Sequence, residues 1–149
     1  MTDDNKIILN KSWKMIRKSS ELVNLRNFLE EILNDINIDE KRKARMILCT
    51  DEAAANIIEH SNVDLNNEDL HEFEIEVFAN ENQLTVTIYD NGKPFDPTQT
   101  EDVDLSEHIL SGKKGGLGVY IMKTQLDVFE YKYENDNNIL KLGMNLGDK

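Results

Sequence analysis

The segment Asp51-Glu52-Ala53-Ala54-Ala55-Asn56 sets a carboxylate and a carboxamide at positions i and i+4, a spacing that brings both to one face of a helix. The alanines between them keep that helix slim. A carboxamide oxygen is a suitable hard ligand for magnesium, and a carboxylate one turn away can orient or deprotonate a hydroxyl attacking a phosphate. Such a pair is equally at home on an ordinary solvated helix face, and alone it does not decide between the two.

A second stretch, Asp90-Asn91-Gly92-Lys93-Pro94-Phe95-Asp96-Pro97, follows the alternating run Leu84 to Tyr89 and so lies at the C-terminal end of a strand. An ionised Asp there accepts a hydrogen bond from an exocyclic amine, and Gly92 lets backbone approach a flat ring, a combination that would select adenine. An Asx turn made of Asp-Asn-Gly accounts for the same residues without a ligand. The third stretch, Gly112-Lys113-Lys114-Gly115-Gly116-Leu117-Gly118, leads into a helix whose free N–H groups and positive dipole end favour phosphate oxygens, with Lys113 and Lys114 adding charge. It has neither the Gly-Lys-Ser/Thr ending of a P-loop nor the strand-turn-helix and distal acid of a dinucleotide fingerprint.

These residues need a scaffold, and the hydrophobic periodicity outlines one. Lys6 to Ser12 reads as an edge strand. From Ser19 to Asn34, Leu22, Leu25, Phe28, Leu29, Ile32 and Leu33 recur at helical steps, with Ser19 or Ser20 as the cap. A second helix starts near the N-cap Asp39 and runs to about His60. Phe73, Ile75, Val77 and then Leu84, Val86, Ile88 alternate as half-buried strands joined by a turn at Asn80 to Asn82. A polar lid is expected between the Asp90 loop and the glycine cluster. A helix from Leu117 to Leu126 and strands at Val128 to Tyr133 and Ile139 to Met144, with a turn at Asn135 to Asn138, complete the chain. The expected class is α+β: a two-layer α/β sandwich whose mixed, mostly antiparallel sheet carries helices on one face.

With 39% hydrophobic residues, 149 residues suffice for one compact domain, expected to span 1–149. No basic segment followed by an apolar run opens the chain, and no apolar stretch reaches membrane-spanning length, so a soluble, cytoplasmic protein is expected. Cys49 is the single cysteine, which rules out an internal disulfide or a cysteine zinc cage and suits a small buried hydrophobe. A net charge of −12 opposes direct binding to nucleic acid or anionic lipid and suits a basic protein partner, although solubility alone also accounts for it. Trp13 reads as packing, His60 as a helix-terminal polar residue and His108 as part of the lid.

The three stretches in this order are rarer than any one of them. With them, the chain from about Lys6 to Leu146 resembles the Bergerat-fold (GHKL) ATPases and, within that group, the stand-alone anti-sigma-factor serine/threonine kinases. The resemblance implies ATP and Mg2+ as cofactors, Glu52 as the general base, Asn56 as the magnesium ligand, and Asp90 with Gly92 as the reader of the adenine amino group. Phe95-Asp96-Pro97 resembles the ending of the anti-sigma second box. Gly115-Gly116-Leu117-Gly118-Val119-Tyr120, with Asp127 further on, resembles its third. Pro94 stands where histidine kinases usually carry a glycine, which favours the anti-sigma branch.

It further implies a homodimer that holds either a sigma factor or a phosphorylatable STAS-fold antagonist. The alternative is a catalytically silent module in which ATP only shapes a protein-binding surface. An energy-coupling ATPase would be expected to carry a transmitter domain, and a sensor kinase a helix pair with a phosphoacceptor His. The sequence ends at Lys149, soon after its last strand, and begins with neither.

Overall fold

The computed structural model describes residues 6–60, 72–99 and 117–147. The described elements are strand β1 (Ile7–Ile16), helices α1 (Leu22–Leu33) and α2 (Glu40–His60), strands β2 (Glu72–Asn80) and β3 (Gln83–Asp90), helix α3 (Leu117–Gln125), and strands β4 (Val128–Glu134) and β5 (Asn137–Asn145). The strands form one five-stranded sheet in the order β1-β2-β3-β5-β4. Every pairing is antiparallel, so the mixed sheet expected from the sequence is purely antiparallel among the described residues.

Strand alternation sorts the sheet into two faces. Ile75, Val77 and Ala79 of β2, Leu84, Val86 and Ile88 of β3, and Leu140, Leu142 and Met144 of β5 are buried in one core with Leu25, Leu29 and Leu33 of α1, Met46, Cys49 and Ala53 of α2, and Met122 of α3. Glu74, Glu76, Thr87 and Lys141 occupy the alternate positions and are at least partly exposed. The helices therefore cover one face of the sheet. Cys49 is fully buried, and burial pushes its thiol up to about 11, in keeping with a packing role.

The edge strand β1 runs four residues beyond the expected Ser12, because the inward alternation continues through Trp13 and Met15, which pair with Ile75 and Phe73. Trp13 packs edge-on against Phe28 of α1, with ring centroids 4.6 Å apart at 79°. The expected serine cap of α1 is absent: Ser19–Glu21 form a 3₁₀ turn, and the helix starts at Leu22 without a side-chain cap. Asp39 does cap α2, its Oδ1 accepting the Arg42 N–H at 2.7 Å while Oδ2 accepts from the Arg42 guanidinium at 3.0 Å. Asp39→Ala is expected to cost about 1 kcal/mol in a urea titration. The β2–β3 turn follows expectation, since Asn80 Oδ1 accepts the N–H groups of Asn82 and Gln83, each at 2.8 Å.

At the far end of the sheet, the turn is confined to Asn135 and Asp136, both with positive φ, and β5 begins at Asn137. Asn138, expected in that turn, is a buried strand residue opposite Asp90. The lid, Lys113, Lys114, Gly115 and Gly116 lie outside the described residues, as does His108.

Candidate functional site

A cavity partly open to solvent lies where α2 crosses the ends of β3 and β5. Ala53, Asn56 and Ile57 form its helical wall; Ile88 and Leu140 form its floor, and Asp90, Lys93, Phe95, Pro97, Tyr131 and Asn138 close the rest. An apolar slot with a few convergent polar groups is the usual make-up of a small-molecule site. Two of the stretches singled out in the sequence thus meet here, Asn56 from one and Asp90 with Phe95 from the other.

Asp90 ends the central strand β3 and is 5% exposed. Its Oδ1 accepts from the Arg17 guanidinium and from the Gly92 N–H at 3.0 Å, and its Oδ2 accepts from Asn138 Nδ2 at 3.3 Å. The Gly92 bond is the Asx turn, so the turn reading and the ligand reading are not rivals: one oxygen closes the turn while the side chain lines the cavity. Asn138 is the other organiser of this corner. Its Oδ1 accepts from Tyr131 Oη and from the Phe95 N–H at 3.2 Å, and its Nδ2 also reaches the Gly92 and Lys93 carbonyls, both at 3.2 Å. A single buried amide therefore ties the Asp90 loop to the two C-terminal strands. Phe95, its backbone held this way, stays 41% exposed at the cavity mouth.

Glu52 does not line the cavity. It lies on α2 one turn before Asn56 and faces the start of α3. A methyl group on Gly118 would come within 3.1 Å of Glu52 Cδ and 3.2 Å of Cβ, and would overlap Oε2. Only a glycine there lets the carboxylate lie against α3, which joins Gly118 of the third stretch to the first. Leu117 supplies the first backbone residue of α3. Gly118→Ala is expected to turn the Glu52 carboxylate away from α3 while changing stability by less than about 1 kcal/mol in a urea titration, because the crowding at Glu52 Cβ is small and alanine favours the helix.

Burial, and after it the charge of Asp51, pushes the Glu52 carboxyl above the usual carboxylate range. Burial also raises Asp51, against the pull of Arg26. The Arg26 Nε lies 3.1 Å from Asp51 Oδ1 but its N–H is aimed at the Leu22 carbonyl, leaving that buried oxygen paired in charge without a hydrogen bond. Among the described residues no group of three or more His, Cys, Asp or Glu could hold a metal. A standing metal centre is thus not built from these side chains, whereas the lone carboxamide of Asn56 suits a magnesium that arrives with phosphate oxygens as its main ligands.

Sequence reasoning missed Arg17, Tyr131 and Asn138. Arg17 carried no signal, since it reaches its partner across a neighbouring strand. Asn138 did carry one: the buried alternation Met144, Leu142, Leu140, continued backwards, lands a polar residue at a core-facing position.

The sequence matches the family of histidine kinase-like ATPase domains over residues 17–144. Comparison with curated proteins finds no match. Among solved structures, a chain of the SiaB–SiaC complex from Pseudomonas aeruginosa has the same fold, with a TM-score of 0.60 and 13% identity over 94% of this chain and 91% of that one. Among the described residues no helix is long and apolar enough to cross a membrane.

Proposed function

Because the chain belongs to the histidine kinase-like ATPase domain family, we propose that the Asp90 cavity takes the adenine of ATP and that the protein is a serine/threonine kinase of the anti-sigma type. The observation that carries this reading is the convergence of Asn56 and Asp90 on one apolar cavity, with Glu52 kept on the same helix one turn away. Ile88 and Leu140 suit the face of a purine, and the Asp90 carboxylate suits its amino edge. Asn56, with the phosphates, would hold magnesium, which when bound neutralises phosphate charge during transfer. Glu52 would orient the incoming hydroxyl and accept its proton, and its raised carboxyl is better matched to that work at neutral pH than an ordinary glutamate. Gly115, Gly116, Leu117 and Gly118, with Lys113 and Lys114, would supply the phosphate contacts.

The protein partners follow from the branch. We assign a switch in which a homodimer sequesters a sigma factor or phosphorylates a STAS-type antagonist, in the cytoplasm. The fold likeness to a chain from a two-protein complex supports a protein-directed role, and the acidic balance suits a basic partner surface. The test is incubation with labelled ATP, magnesium and candidate STAS proteins. Label on a serine or threonine of the STAS protein is expected. Tight nucleotide binding with no label on any partner would instead establish the silent module, a reading favoured by the position of Glu52 against Gly118 rather than in the cavity.

A further inference from the structure

Resting on the adenine reading above, we infer that Arg17 is a positioning residue that holds Asp90 as a fixed, ionised acceptor, and thereby sets the preference for a 6-amino purine over a 6-oxo one. Arg17 directly follows the edge strand β1, and β2 lies between β1 and β3. To reach Asp90 the guanidinium passes the start of β2, where it lies 5.6 Å from the centre of the Phe73 ring. The two side chains are almost wholly buried, at 5% and 6% exposure. A cation taken out of water this completely is retained only with a partner of opposite charge. Burial lowers the Arg17 guanidinium to about 10, which leaves it charged at neutral pH.

The donor count fixes what Asp90 can do. A carboxylate offers about four acceptor positions. Among the described residues three are met by donors: the Arg17 guanidinium and the Gly92 N–H on Oδ1, and the Asn138 amide on Oδ2. A proton could sit only at the one position left on Oδ2, and the Arg17 cation against the carboxylate disfavours it there. The position that remains therefore accepts and does not donate, which suits the amino group at carbon 6 of adenine and repels the oxygen at that position in hypoxanthine. Among the described residues, the other titratable or charged groups near Asp90 include Lys93 in its own loop, exposed to solvent, Asp96 further along that loop, and Tyr131 on β4, whose phenol is pushed upward by burial and so stays neutral. The facing helix α2 contributes Ala53, Asn56 and Ile57, all uncharged.

Without the guanidinium, Asp90 is left buried with no cation against it, and its carboxyl takes up a proton as the pH falls. A protonated carboxyl can donate, and a donor accepts the 6-oxo group. The experiment compares binding of ATP and inosine triphosphate, with magnesium, to the wild type, Arg17→Met and Arg17→Lys between pH 8 and pH 5.5. The shared triphosphate cancels in the ratio of the two affinities. For the wild type the ratio should favour ATP and stay constant with pH. For Arg17→Met it should fall at least tenfold across that range, and Arg17→Lys should recover part of the loss.

A folded Arg17→Met whose ratio tracks the wild type overturns the inference. Should that variant fail to fold, the ¹³C carboxyl signal of Asp90 in the wild type decides, since it should hold its ionised position from pH 8 to pH 5.5, and movement to the protonated position overturns the assignment. That signal is read without nucleotide, so a wild type that binds no ATP defeats the functional reading alone.

Discussion

Replacing Glu52 by glutamine is expected to lower phosphoryl transfer by about 10²–10⁴-fold, leave ATP affinity unchanged and raise thermal stability at neutral pH. The loss of transfer follows from removing the proton acceptor while keeping its shape, and binding survives because Glu52 lies outside the Asp90 cavity. The gain in stability follows from the direction of its titration. Burial and Asp51 raise the folded carboxyl above its ordinary value of 4.5, so the folded state holds the proton more tightly than the unfolded chain does. Stability contributed by the protonated form is present below the ordinary value and is lost as the pH rises through the raised one. The melting temperatures of Glu52→Gln and wild type should therefore be close at acid pH and diverge towards pH 7, with the variant higher. An equal difference at every pH would mean that the charge of Glu52 is not what strains this site. Retained transfer would remove Glu52 from the mechanism.

Asp90→Ala is expected to lose ATP binding and about 3–5 kcal/mol of stability together, because it leaves the Arg17 guanidinium buried without its partner. Asp90→Asn separates the two effects. It keeps the volume and one acceptor oxygen, so most of the fold survives, but its NH₂ must face the donors Arg17 and Gly92 or the donor Asn138. A urea titration beside calorimetric binding measures both quantities on one sample. Equal ATP affinity for wild type and Asp90→Asn would contradict the adenine assignment. An unchanged unfolding free energy for Asp90→Ala would show that the Arg17 pair adds nothing to stability.

Much of this site was legible because its parts obey local rules. Glu52 and Asn56 announce themselves by helical spacing, and Asp90 by its place after an alternating strand; the fold needs only to bring the two elements together. Leu84 to Ile88 and Leu140 to Met144 fixed the sheet by period-two burial. What escaped was non-local or broke a pattern. Arg17 is 73 residues from Asp90 in sequence, and no periodicity links the end of an edge strand to the end of a central one. Asn138 was hidden because asparagine next to an Asn-Asp pair reads as turn chemistry, although its parity with Leu140 placed it inside. The α1 cap failed for a similar reason: Ser19 and Ser20 have capping chemistry, but the chain spends them on a 3₁₀ turn before the helix starts.

The central claim is that ATP enters the cavity between α2 and the ends of β3 and β5. Its most direct test is titration of ¹⁵N-labelled protein with magnesium ATP, following the backbone amides of Asn56, Gly92 and Phe95 and the side-chain NH₂ of Asn138, which bonds Asp90 and the loop carbonyls. These signals should move together and saturate at one common dissociation constant. Saturating shifts confined to another surface, such as the polar groove beside Arg42, Arg45 and Asn145, with these four signals unmoved, would contradict it.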